Sequence, residues 1–161
     1  MMAELTRIEL IKLIAANSGK RLVLRGVDLT GLNLSNLYLE EANLAYANLS
    51  KATLTRASLT KANLEHAILD YADLSDSNLQ FANLRHARLT GADLRAVDLR
   101  DADLREADLR AANLRGADLT RSNLWHADLR EANLVYTNIE GAKGAPPEVE
   151  EWLKSGHIRG D

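Results

Sequence analysis

The chain has 161 residues, enough for one domain with a sizeable core. Its 20 basic and 23 acidic residues leave a formal net charge of −3, so electrostatics alone points to neither nucleic acid nor an anionic membrane. Cysteine is absent, which excludes disulfides and thiolate zinc sites and fits a reducing compartment.

The first expected element is a helix. Leu5, Ile8, Ile11 and either Leu13 or Ile14 suit an amphipathic stripe, and Gly19 helps to end it. We assign residues 1–23 to an N-terminal capping helix and lead-in whose stripe covers the next element. Glu4, Arg7, Glu9 and Lys12 interrupt the apolar residues and leave no run suited to a signal peptide or membrane span. The expected location is therefore cytoplasmic.

From Leu24 to Ile139 an apolar residue stands at every fifth position, 24 in succession without insertion or deletion. A step of five scatters these residues around a helix, and on a flat strand it alternates them between faces. Two residues before most centres stands Ala or Ser, as at Ala42, Ala47, Ala52 and Ser77, and the residue between is usually Asp or Asn. Two inward positions in every five require the chain to turn a corner once per A-(D/N)-L-x-x unit. A stack of polygonal turns joined by parallel ladders meets that requirement, with leucine in an internal column and alanine in the tighter space beside it. Val27, Leu32 and Leu37 are large where alanine is usual, which implies a first turn that is wider or meets a cap. The number of sides is less directly readable. His66, His86 and His126 lie 20 and 40 residues apart, as four-sided turns of 20 residues would align them.

With this motif, residues 24–141 resemble the pentapeptide repeat proteins. The resemblance implies an all-β solenoid, a right-handed quadrilateral β-helix of about six coils with short capping helices at both ends. At ~4.8 Å between neighbouring strands the rod would be roughly 29 Å long. Ile68 and Arg88 depart from Asp/Asn, and Val97 and Thr137 from Ala, leaving room for local bulging.

Gly144 breaks the repeat, and residues 142–161 are expected to form a capping or dimerisation helix and a tail. Pro146 and Pro147 open that helix, and Val149, Trp152 and Leu153 share one side of it. The linker is short and Glu148, Glu150 and Glu151 make the outer side polar, so a monomer is favoured over a C-terminal homodimer. The final residues, 157–161, are expected to be mobile.

Function has to come from the outward positions. With twenty-residue coils Arg85 stacks on Arg105, Arg95 on Arg115 and Arg110 on Arg130, beside columns that pair Asp73 with Asp93, Asp98 with Asp118 and Asp108 with Asp128. The stronger reading is a mutually neutralised surface, and the other is a docking face for an acidic partner or for nucleic acid. We take Arg85, Arg95, Arg105, Arg110, Arg115, Arg130 and Trp125 as the candidate partner-binding surface; Tyr71, Phe81 and Tyr136 also point outward. His66 and His86, ~5 Å apart, approach metal-ligand spacing with Glu106. Outward side chains on a convex wall do not converge, so no metal site is assigned, and a role for the column of His66, His86 and His126 stays open.

Catalytic signatures are missing: there is no phosphate loop, no H-E-x-x-H and no G-x-S-x-G. A leucine-filled rod also lacks the concavity of an enzyme site. We expect a non-enzymatic interaction or scaffold protein that presents a rigid patterned rod to an unidentified protein partner. Neither a cofactor, a small-molecule substrate nor a membrane is expected, and direct nucleic-acid binding is disfavoured. The resemblance adds an alternative, because some bacterial family members protect a type II topoisomerase (gyrase) by mimicking DNA with an acidic rod. Residues 81–145 hold ten basic and ten acidic residues, a poor match to a phosphate charge every ~1.7 Å of duplex. A continuous acidic strip on one face would revive that alternative.

Overall fold

The computed structural model describes residues 6–16 and 21–154, with side chains to residue 151. Two helices, α1 (Arg7–Ala16) and α2 (Pro147–Lys154), flank a solenoid. In the solenoid the residue before each central leucine bridges in parallel to the residue twenty places on, from Val23↔Asn43 through Asn63↔Asn83 to Asn123↔Lys143. One coil is therefore four pentapeptide units, and each unit forms one side.

Hydrogen bonds explain why the unit has this composition. In the unit around Leu44, the Leu44 N–H donates to Asn63 O at 2.7 Å, Tyr46 N–H to Glu65 O at 2.9 Å and Asn43 N–H to Leu22 O at 2.8 Å. The corner is a β-turn in which Ala42 N–H donates back to Leu39 O at 3.1 Å. The Asp/Asn side chain accepts from the amide two residues on, as Asn48 Oδ1 does from Ser50 N–H at 3.1 Å. This local bond is the reason the position prefers a short side-chain carbonyl.

Each corner ends on a left-handed residue. Nineteen of these are not glycine, with φ between 52° at Ala96 and 63° at Glu131. A left-handed non-glycine residue costs roughly 1–2 kcal/mol. The cost is offset because the same residue's N–H is bonded to the next coil, as Tyr46 and His66 show.

Inside, the leucines and the alanines beside them are almost wholly buried. Val97 and Thr137 cause no bulge: both are buried, and the bridges Asp98↔Asp118 and Asp118↔Asn138 keep the register. Thr137 Oγ1 donates to Leu114 O at 2.7 Å and Ser77 Oγ to Leu74 O at 2.6 Å, so neither inward hydroxyl is orphaned. Val27, Leu32 and Leu37 are half-buried against the core at the α1 end.

Helix α1 begins at a capping box, with Thr6 Oγ1 accepting from Glu9 N–H at 3.3 Å and the Glu9 carboxylate accepting from Thr6 N–H at 2.8 Å. Its buried side corrects the sequence expectation. Leu10 is fully buried and Ile14 partly so, whereas Ile8 and Ile11 are 66% and 42% exposed. The rotation follows from Arg7, which shares a face with Leu10 and Ile14 and is anchored on the backbone of Asn33 and Ser35. Leu5 and Gly19 lie outside the described residues. At the other end Val149 of α2 is 7% exposed and packs against the core. The side chains of Trp152 and Leu153, and residues 157–161, also fall outside the described residues. No described helix is long and apolar enough to cross a membrane.

Candidate functional surface

In the later coils the outward wall carries charged pairs inside single units. In A-D-L-R the leucine points inward, so the Asp before it and the Arg after it share the outer face. Arg95 Nε and Nη2 fork onto Asp93 at 2.8 and 2.6 Å, and Arg110 onto Asp108 at 2.8 and 2.7 Å. Arg100 with Asp98, Arg105 with Asp103 and Arg130 with Asp128 repeat the geometry. Longer contacts link coils, from Arg100 to Asp118 at 3.8 Å and from Arg110 to Asp128 at 3.7 Å. The side-chain bond from Arg95 holds Asp93 below the usual carboxylate range, and that from Arg130 lowers Asp128 to about 2.

Four of the six candidate arginines, Arg95, Arg105, Arg110 and Arg130, are thus tied to a carboxylate of their own unit. The stacked arginine rows are neutralised within each unit first and across coils second. Arg85 and Arg115 follow Asn and have no such partner. Arg115 lies over the Tyr136 ring at 5.1 Å, and Arg85 Nε is buried without an acceptor. Two pairs not foreseen from the repeat join them. Arg88 binds Asp70, which is nearly buried, and Arg121 binds Asp101 across a coil at 2.7 Å.

The histidine column is a stack from Tyr46 to His86, whereas His126 lies tilted against Trp125. Tyr46 and His66 have ring centroids 4.8 Å apart, and His66 and His86 lie 4.6 Å apart at 7°; His86 Nδ1 sits 3.3 Å from Glu106. Cofacial rings keep their nitrogens side by side, and the described residues contain no group of three or more His, Cys, Asp or Glu that could hold a metal ion. Arg25 covers the Tyr46 ring at 4.3 Å and extends the stack. Trp125 is 54% exposed and lies across Gly144, where an added Cβ would come within 2.6 Å of the indole. Tyr71 lies across Gly91 in the same way.

A continuous acidic strip is not found among the described residues. No bridge column holds more than two carboxylates in succession, and Asp93, Asp98, Asp108, Asp118 and Asp128 all lie within reach of an arginine.

The family described as pentapeptide repeats matches residues 23–60, 57–95, 72–110 and 112–143, in eight copies. Among solved structures, the pentapeptide repeat protein Rfr23 of the cyanobacterium Cyanothece 51142 is 27% identical with a TM-score of 0.58, over 71% of this chain and 89% of its own. HetL of Nostoc sp. PCC 7120, involved in heterocyst differentiation regulation, is 36% identical with a TM-score of 0.32, over 78% and 66%. QnrB1, a plasmid-mediated fluoroquinolone resistance protein, is 14% identical with a TM-score of 0.31, over 87% and 91%. No curated protein matches the sequence.

Proposed function

The chain belongs to the pentapeptide repeat family, and from that premise we propose that it is a non-enzymatic interaction protein, a rigid rod whose patterned wall docks a protein partner. We envisage a right-handed rod of about six coils closed by a helix at each end, monomeric and cytoplasmic. The observation that carries the reading is the division of labour along the unit. Inward positions are spent on a packed core, while the outward ones expose Tyr46, Tyr71, Phe81 and Trp125 on a backbone fixed by a continuous ladder. Exposed aromatic and Arg side chains on a pre-organised surface are the usual carriers of binding energy between proteins.

Topoisomerase protection by DNA mimicry is the weaker reading, because its acidic strip is replaced by Asp–Arg pairs of balanced charge. Affinity capture with the full chain from its native cells, against a variant with Arg85, Arg95, Arg105 and Arg115 neutralised, tests the proposal. A protein retained by the wild type and lost by the variant is expected. Failure to retain any protein, combined with protection of gyrase supercoiling from a quinolone at low micromolar protein, would overturn it.

A further inference from the structure

Sorting charged side chains by face separates those that pair internally from those that do not. One face runs along the bridge column Val23, Asn43, Asn63, Asn83, Asp103, Asn123 and Lys143, bordered by the corner residues at 21 and 25 and their counterparts in later coils. On this face Lys61 meets Glu41 at 3.9 Å, Arg105 meets Asp103 and Arg121 meets Asp101. Arg21, Arg25, Arg85 and Lys143 form no ion pair among the described residues, although the charge of Arg85 also reaches Asp103, and Glu65 is the one carboxylate of the face that forms none. Taken together, the other three faces show the reverse: among the described residues Lys51, Arg56 and Arg115 form no ion pair, against Asp28, Glu40, Asp73, Asp76, Glu131 and Glu140, of which Asp73 and Asp76 lie in the field of Arg95. In a chain with a slightly negative total, unpaired cations of the solenoid therefore outnumber unpaired carboxylates on this one side.

That side also has the composition of a contact surface. Phe81 is 53% exposed and Trp125 54%, at opposite edges, and Arg25 and Tyr46 stack on its border. Part of its floor is an amide ladder, in which Asn83 Nδ2 donates to Asn63 Oδ1 at 3.1 Å and Asn63 Nδ2 to Asn43 Oδ1 at 3.5 Å, and the next position, Asp103, is paired with Arg105. These amides bond to one another lengthwise, so a partner crossing them is not asked to satisfy a buried row of donors.

We propose that this face docks an acidic polypeptide segment lying lengthwise along the rod. The proposal rests on the interaction reading above and names the surface and the partner's chemistry. Spacing selects polypeptide over nucleic acid. Arg25 and Arg85 are three coils apart, about 14 Å at ~4.8 Å per coil, and Lys143 follows about as far again. Duplex DNA presents a charge every ~1.7 Å and is held by a dense row of cations. Sparse cations set among aromatic rings instead suit scattered carboxylates with apolar side chains between them.

A Trp152→Phe background leaves Trp125 as the sole tryptophan and makes it a reporter on this face. Titration with poly-L-glutamate at low ionic strength should shift Trp125 emission saturably. Arg25→Glu with Arg85→Glu should raise Kd by about tenfold or more, whereas Lys51→Glu with Arg56→Glu, the same charge change on other faces, should leave it within about threefold. Circular dichroism confirms that both variants are folded. Equal losses from both pairs, no saturable shift, or tighter binding of a short oligothymidylate would each overturn the proposal. A captured partner that still binds the Arg25→Glu, Arg85→Glu variant would remove this face while leaving the interaction reading intact.

Discussion

The Arg7 guanidinium donates to the Ser35 carbonyl oxygen at 3.1 Å and also to that of Asn33. One coil further on, the equivalent carbonyls of Thr55 and Thr53 accept the backbone N–H groups of Asn36 and Leu34. A single side chain thus stands in for two amide donors of a coil that is not there. Arg7→Ala should leave these acceptors to water and loosen α1, at a cost of about 1–3 kcal/mol. Arg7→Lys should recover little, because an ammonium lacks the planar fork. Hydrogen exchange at Leu10 would report the change, and unaltered protection there would show that apolar packing alone holds the helix.

Corner strain predicts substitutions of opposite sign. Gly116 has φ +70° with open space where a Cβ would stand, so Gly116→Ala isolates the backbone term and should destabilise by about 1 kcal/mol. Ala111 sits at φ 55°, and Ala111→Gly should be neutral or stabilising despite the greater freedom of the unfolded chain. Denaturant midpoints would decide. Equal destabilisation by both would mean that the ladder, not φ, sets the corner's preference.

The core offers a matched pair. Leu94 and Ala92 are buried in one unit at mid-rod. Leu94→Ala should cost about 2–5 kcal/mol by leaving a cavity. Ala92→Leu should cost about 1–3 kcal/mol by overpacking against the wall. Equilibrium unfolding measures both, and a neutral result at either site would contradict the close packing inferred from burial.

Some of this was legible in the residues and some was not. The step of five and the twenty-residue spacing of His66 and His86 are direct traces of a four-sided coil, and these two rings do stack. The arginine rows were legible only in part. Counting columns places Arg85 over Arg105, but the pair that forms, Arg105 with Asp103, is local and was already spelled out in the order A-D-L-R. The rotation of α1 was hidden, because Ile8, Leu10, Ile11, Leu13 and Ile14 spread around the helix, and only the anchor of Arg7 on a distant carbonyl selects the buried side. Left-handed corners were hidden too, since Tyr46, Lys61 and Phe81 carry no glycine signal and are held there by hydrogen bonds between coils.

The Asp–Arg pairs predict how stability depends on pH. Asp128 titrates near 2 in the folded chain instead of its usual 3.8, chiefly through the side-chain bond from Arg130, and Asp93, Asp103 and Asp108 are lowered for the same reason. A depressed folded pKa contributes stability above the unfolded value, and that contribution is lost as pH falls through the folded one. Thermal midpoints should therefore hold steady down to about pH 4 and then decline toward pH 2. In Arg130→Gln the Asp128 share of this decline should shrink, because only the backbone N–H at position 130 and the longer contact with Arg110 then lower its carboxyl. An acid limb unchanged by that substitution would show that the pair contributes nothing in solution.

The last relationship to test is that between Val149 and the open end of the rod. The sides at Asp128, Asn133 and Asn138 bridge to the preceding coil, and among the described residues nothing bridges to them from beyond. Such an edge invites a second copy to add its own ladder, and a head-to-tail addition would not close. Val149 packs against the core within one chain, the contact that a sealing role for α2 requires. Removing residues 146–161 should turn a monomer into concentration-dependent oligomers, while Val149→Asp should do so partially by introducing a charge at an apolar contact. Light scattering across a concentration series distinguishes the outcomes. An intact chain that is dimeric and becomes a clean monomer on truncation would show that α2 joins two subunits instead of sealing one.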